Sequence, residues 1–168
     1  MEVDQAIHAR CAVRECTLEP VDEATLRRLI EAASLAPSAF NKQPWLFRVI
    51  QDKALLTRIS VASKGANLAA PPTGISSNHL QEMGENPAFH IFCHAPVLVV
   101  ISSATEGGWA VENCARAAEA LAAKAAGLGI RWIGFAQSWV GTPERKAAGL
   151  SPDYLLMGPK IRNINRIG

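Results

Sequence analysis

The chain has 168 residues, a formal charge of +2, 49% hydrophobic residues and 19% charged ones. That length suits one domain, residues 1–168, with a sizeable core. The weak positive charge lacks the dense basic stripe that nucleic acids require, and no run reaches the ~20 apolar residues of a membrane span. The opening MEVDQAIHARC has no apolar leader segment. Cys11, Cys16, Cys93 and Cys114 form no C-x-x-C pair and lie at no zinc spacing from a histidine. The expectation is a soluble, reduced, cytoplasmic protein without metal or membrane partner.

Near the start, ARCAVRE spaces Arg10 and Arg14 by four residues. That spacing puts both side chains on one side of either a helix or an extended segment. Guanidinium forks suit phosphate because they give planar, bidentate, permanently charged donors; two solvated surface arginines have the same spacing. Residues 22–35 follow as a predicted helix, with Asp22 as N-cap and Leu26, Leu29, Ile30 and Ala33 on one face. Pro37 is expected to stop it. The next stretch, APSAFNKQPW (36–45), holds Ser38, Asn41 and Gln43 within six residues. Amides donate and accept at once, which suits the edge of a heterocycle that alternates carbonyls with N–H groups. Turn closure by Ser and Asn, with prolines presetting φ, explains the same residues without a ligand. Pro44 is expected to hold Gln43 extended.

WLFRVIQ (45–51) reads as a strand and 54–61 as a short helix. Residues 62–94, punctuated by Pro71, Pro72, Gly74, Gly84 and Pro87, read as an irregular lid or excursion. His90 and His94 within it have the i,i+4 spacing of metal ligands, but FHIFCHAP lacks the glutamate of H-E-x-x-H and looks extended; structural histidines are the expectation. APVLVVISS (95–103) reads as a buried strand. WAVENCARAAEALAAKAA (109–126) reads as a helix with Val111, Cys114, Ala118, Leu121 and Ala125 on one side, stopped by GLG. Its alanines fit good helix propensity alone, or close packing at a core or dimer interface. IRWIGFA (130–136) is a further strand. Trp132 occupies the third glycine position of a dinucleotide fingerprint, so that motif is absent, while Gly134 suggests a close approach by ligand or backbone. No G-x-S-x-G elbow occurs. Interspersed helices and strands give a mixed α and β class.

Taken together, Arg-x-x-x-Arg, EAASLAPSAFNKQPWLFRVI and AAGLGIRWIGF resemble the nitroreductase family of FMN-dependent oxidoreductases. The likeness is specific in AAxxAPSxxNxQPW and spans roughly residues 4–60 and 92–136. It implies an α+β fold, a central mixed, mainly antiparallel sheet flanked by helices, in an intertwined homodimer with FMN at the interface. By resemblance Arg10 meets the FMN phosphate and Arg14 the ribityl chain and pyrimidine edge, with Cys11 and Ala12 lining the site. Pro37, Ser38 and Asn41 approach from the partner subunit with Gln43 in support, and Ile133 and Gly134 face flavin N5 and O4. The implied activity is ping-pong hydride transfer through flavin N5, from NAD(P)H to a small planar acceptor such as a nitroaromatic or quinone. No side chain serves as acid or base, because the cofactor carries the chemistry. Arg14 is assigned the stabilisation of anionic reduced flavin.

Three departures from the family pattern stand out. Ala12 replaces a hydroxyl, removing a phosphate hydrogen bond typically worth ~1 kcal/mol. LLMGPKIRNINRIG lacks the tyrosine of a Gly-Tyr-Pro pattern, and the resemblance leads us to expect a C-terminal arm that is short or truncated. Arg166, backed by Lys160 or Arg162, is the candidate for the missing phosphate charge. The alternatives are a flavin-binding homodimer without turnover, and a dehalogenating or flavin-fragmenting member of the same fold.

Overall fold

The order of apolar residues along two neighbouring strands decides how the layers are arranged. A computed structural model of the chain describes residues 2–10, 16–69, 84–104, 109–128, 130–131, 161–162 and 164–165. Strand β1 (Trp45–Ile50) pairs antiparallel with β2 (Leu98–Ser103), in a register that sets Trp45 opposite Ser103 and Ile50 opposite Leu98. All six residues of β2 are buried, so both faces of the sheet are covered there. Successive side chains point to opposite faces. Val97, Val99 and Ile101 enter one core with Trp45, whereas Leu98 and Val100 enter another with Ile50. The predicted strand 95–103 starts only at Leu98; Pro96, which has no N–H to donate, precedes the ladder.

The first core lies under two helices. Helix α1 (Val3–Ala9) leads in, and α2 (Glu23–Ser34) begins at the predicted Asp22 cap, whose carboxylate accepts from the Thr25 N–H at 2.8 Å and the Thr25 hydroxyl at 2.7 Å. Leu26, Leu29 and Ala33 form its buried face. They pack against α4 (Ala110–Gly127), where Cys114, Ala117, Leu121, Ala122 and Ala125 have no exposed surface. Small side chains let the helix sit close to both α2 and the sheet, and the alanine face is therefore consumed inside this chain's own core. Val111, expected on that face, is exposed instead. Burial pushes the Cys114 thiol up to about 11, so it stays protonated at neutral pH and acts as a small apolar filler.

Helix α3 (Lys53–Ala69) covers the other side of the sheet. It runs eight residues past the expected 54–61, so the first part of the 62–94 stretch is helical rather than irregular. Alanines, lysine and leucine sustain it, and Gly65 is tolerated at modest cost. The far part of the stretch is also anchored. Phe92 is 1% exposed in the second core, Ser60 Oγ accepts from the Ile91 N–H at 3.0 Å, and Lys64 Nζ donates to the Phe89 carbonyl at 2.9 Å. His90 and His94 sit on a turn, not an extended run: Cys93 and His94 have φ of 45° and 56°. The buried His90 ring accepts at Nδ1 from the Phe92 N–H at 3.2 Å.

Short strands β3 (Ile130–Arg131), β4 (Ile161–Arg162) and β5 (Ile164–Asn165) complete the described residues. β4 pairs with β2 and β5 with β3, every described pair being antiparallel. Beyond Arg131, the expected strand 130–136 lies outside the described residues.

Two stability measurements follow. Ala118→Leu forces a branched side chain into the close-packed first core and is expected to cost about 1–3 kcal/mol, read as a lower urea midpoint with the slope unchanged. The Thr25 hydroxyl, and then its N–H, hold the Asp22 carboxyl below its ordinary 3.8. The carboxylate's contribution is therefore fully present above pH 3.8 and is lost as pH falls through the lower folded value. The difference in thermal midpoint between the wild type and Asp22→Ala should be constant near neutrality and shrink below pH 3.8.

Candidate functional site

Between α2 and β1 the chain makes a tight, strained turn. Ser34 ends α2, its hydroxyl donating to the Glu31 carbonyl at 2.7 Å, and Leu35 caps it, so the helix stops before Pro37 is reached. A single 3-10 turn, Ala39–Asn41, follows, closed by Asn41 N–H to Ser38 O at 3.0 Å and Lys42 N–H to Ala39 O at 3.2 Å. Phe40, Asn41 and Gln43 have φ of 55°, 52° and 46°. Left-handed backbone is uncommon outside glycine and costs of order 1–3 kcal/mol per residue, so three within four positions need firm support.

Three contacts supply that support. The Ser38 hydroxyl accepts from the Gln43 N–H at 2.9 Å. Asn113, 4% exposed on α4, accepts from the Ala39 N–H at 3.0 Å. At the exit, the Ala104 N–H donates to the Pro44 carbonyl at 2.7 Å, extending the β1–β2 pairing into the turn. The expected extended Gln43 is thus corrected. Its N–H must reach back to Ser38, which takes φ positive, and the following proline excludes only the right-handed helical alternative.

These contacts separate the two readings of APSAFNKQPW residue by residue. Ser38 closes the turn. Asn41 and Gln43 do so only through their backbone N–H groups; their side-chain amides are exposed and make no hydrogen bond among the described residues. Pro37 is exposed at the entrance, and Pro44 is buried at the exit.

Arg10 caps the C-terminal end of α1, and its Nε lies 3.4 Å from Glu119 Oε1 on α4. Both partners are partly exposed, so the pair is worth at most about 1 kcal/mol. Among the described residues Glu119 is the one ion-pair partner of the guanidinium. Asn113 and Glu119 are six residues apart on one helix. The two contact points are therefore roughly 9 Å apart along α4 and roughly 120° apart around it. One chain places them on different sides of the helix. Cys11, Ala12, Arg14, Ile133, Gly134 and Arg166 lie outside the described residues. Asn113 and Glu119 carry no motif in the sequence, although an asparagine on the alanine-lined face of a helix is itself a signal: a buried amide needs partners.

An α+β fold with a rigid, amide-bearing turn before its first strand defines a class, and comparison with known proteins identifies it. The chain matches the nitroreductase family over residues 7–158, and it belongs to that family. An Archaeoglobus fulgidus protein provisionally named NADH dehydrogenase/NAD(P)H nitroreductase is 29% identical over 130 residues, 76% of this chain and 64% of that relative. This chain thus spans less than two thirds of that relative's length. The 5,6-dimethylbenzimidazole synthase of Rhodospirillum rubrum is 27% identical over 151 residues, 78% of this chain and 68% of that one. The crystal structure of a nitroreductase with bound FMN from Bacteroides fragilis superposes with a TM-score of 0.85 at 26% identity, over 100% of this chain and 90% of that one. The expected nitroreductase-like α+β fold is the fold observed.

Asn113→Leu removes the acceptor for the Ala39 N–H without shrinking the side chain. It is expected to destabilise the protein by about 1–3 kcal/mol and to speed hydrogen exchange at residues 39–43 more than in α2, measured by mass spectrometry on peptides.

Proposed function

We propose that the protein is an FMN-dependent oxidoreductase that uses NAD(P)H to reduce small planar acceptors such as nitroaromatics or quinones. It works as a homodimer with the flavin between subunits. The observation that carries this reading is the pair of uncommitted amides. Asn41 and Gln43 sit on a turn held rigid by Ser38, Asn113 and Pro44, yet spend neither side chain on holding it. Donor–acceptor groups preset in this way match the alternating carbonyl and N–H edge of an isoalloxazine.

The residues present fit the group at its other end as well. Arg10 offers the terminal nitrogens of its guanidinium, and its surface pair with Glu119 is weak enough for a phosphate to displace. FMN held there would supply the hydride- and electron-transfer chemistry between NAD(P)H and the acceptor. The chain's own part is binding and orientation: Arg10 holds the phosphate, and the amides fix the ring edge. The assignments of Arg14, Cys11, Ala12, Pro37, Ile133, Gly134 and Arg166 to the same site rest on the resemblance.

The dimer is supported by the geometry of a single chain. Arg10 and the turn flank different sides of α4, so a second copy is the economical way to bring a phosphate site and a ring-edge site together. Val3 and Ile7, one turn apart on α1, are both more than half exposed, a surface that suits burial against a partner. The similarity to a dimethylbenzimidazole synthase favours one further reading, in which bound flavin is consumed instead of recycled.

The purified protein should show a flavin spectrum that bleaches when NAD(P)H is added without oxygen and returns on adding a quinone. Colour that does not return after oxygen is admitted supports the consuming reaction. A yellow protein that NAD(P)H cannot bleach supports binding without turnover, and a colourless one that rejects FMN refutes the proposal. Arg10→Ala should weaken FMN retention about tenfold or more; unchanged affinity refutes the phosphate assignment.

A further inference from the structure

On the opposite side of the sheet from α2 and α4, residues 84–94 run back along α3 in steps of one helical turn. Gly84 lies against Leu68, so closely that a Cβ there would come within 2.8 Å of Leu68 Cδ2. Lys64 Nζ donates to the Asn86 and Phe89 carbonyls at 3.3 and 2.9 Å, and Ser60 Oγ accepts from the Ile91 N–H at 3.0 Å. Phe92 then enters the second core just before the chain turns into β2. The segment is a strap laid over α3, and the turn 90–94 fastens its far end.

The His90 ring holds that turn. It is 9% exposed, and its Nδ1 accepts from two backbone donors, the Phe92 N–H at 3.2 Å and the His94 N–H at 3.4 Å. Backbone N–H groups only donate, so the ring presents a bare Nδ1 to them and carries its proton on Nε2. In the imidazolium both nitrogens are donors, so one added proton removes both bonds. Cys93 and His94 stand at φ 45° and 56°, a pair of left-handed residues that persists only where the surroundings over-determine it. The titratable and charged groups set around the ring by these contacts are His94, with ring centroids 4.6 Å apart, Cys93 within the turn, and Lys64 of α3 through the Phe89 carbonyl. The core that Phe92 joins supplies Ile50, Leu56, Ile59, Leu98 and Val100, none of them charged. Lys64, a like charge, adds to the cost of an imidazolium here.

We propose that His90 is an acid-sensitive latch: neutral, it holds the strap 84–94 on α3, and protonated, it releases the strap and uncovers Phe92 and the second core. The device is independent of the flavin reading above. A histidine freed from the turn titrates near its ordinary value of about 6.5. Below that pH the open strap takes up a proton that the closed one cannot hold at Nδ1. Closure is therefore fully favoured above about 6.5 and weakens as pH falls.

Hydrogen exchange by mass spectrometry on the intact purified protein reads the latch directly. The N–H groups of Ile91, Phe92, Cys93, His94 and Ala95 are all bonded when it is closed. Relative to intrinsic rates, exchange at residues 89–95 should rise about tenfold from about pH 7.5 to about pH 5.5, while α2 and β1 change by less than about twofold. His90→Asn places an amide oxygen near the position of Nδ1 and takes up no proton, so its protection should be independent of pH. His94→Asn should keep the rise. Exchange at 89–95 that ignores pH in the wild type overturns the latch, as does an undiminished rise in His90→Asn or its loss in His94→Asn. An equal rise in α2 overturns it too, since the whole fold is then loosening. If His90→Asn does not fold, the wild-type ring decides by nitrogen NMR. An Nε2–H tautomer near neutrality, with a His90 titration midpoint matching that of exchange, supports the latch; an Nδ1–H ring or separate midpoints overturn it.

Discussion

The hydrogen bond from the Ala39 N–H to Asn113 Oδ1 joins the interior of the molecule to its candidate site. A buried amide in an alanine-lined helix face is costly unless it is satisfied, and the cost of leaving it unmade exceeds the net gain from making it. That asymmetry makes the contact a specifier. The turn has to be where Asn113 is, and Asn113 is where α4 packs. The other features of the site follow from this placement. Ser38 can reach the Gln43 N–H only if the chain reverses there, and the reversal is what drives three non-glycine residues to positive φ.

Helix α4 can carry such a residue because its packing is otherwise so uniform. Ala117, Ala122 and Ala125 present a nearly flat surface, and Leu121 and Cys114 fill what remains between α2 and the sheet. A close-packed helix has little freedom to rotate or slide, so a group it holds is fixed to within small displacements. The sheet adds an independent constraint. Odd-numbered residues of β2 enter one core and even-numbered residues the other, and a one-residue slip would exchange the two sets. The Ala104–Pro44 bond then ties the exit of the turn to that register. Two separately determined elements, a helix and a strand pair, locate the same five residues.

Much of this was legible in the sequence, and the reasons differ by element. The Asp22 cap and the spacing of Leu26, Leu29 and Ala33 define α2 because local hydrogen bonding and periodicity act over a few residues. The β1 and β2 cores are legible for a similar reason. Helix α3 was underestimated because Gly65 and polar residues after Ile59 weaken the periodic signal, while tertiary contacts such as Lys64 to the Phe89 carbonyl and Ser60 to the Ile91 N–H support the region from outside. Val111 lies off the buried face because a helix face is a property of what packs on it. The residue types of the site were legible as a motif, but the division of labour within it was not. Nothing in APSAFNKQPW says that Ser38 is spent on closure while Asn41 and Gln43 are not, since that depends on a reversal anchored 74 residues away.

That division bears on how binding energy is apportioned. Had the Asn41 and Gln43 side chains closed the turn themselves, a ligand would have to break those bonds before forming its own, and the exchange would gain little. With closure delegated to Ser38, Asn113 and Pro44, the ordering cost of the turn and its backbone strain are met during folding, by contacts in or beside the core. A ligand binding such a turn would meet donors and acceptors already aimed, and would lose less conformational entropy on binding. The same logic accounts for the weak Arg10–Glu119 pair at the other end. A surface contact of low worth orients the guanidinium without competing seriously for it. The turn is thus rigid where the chain must hold itself, and it leaves the Asn41 and Gln43 side chains uncommitted.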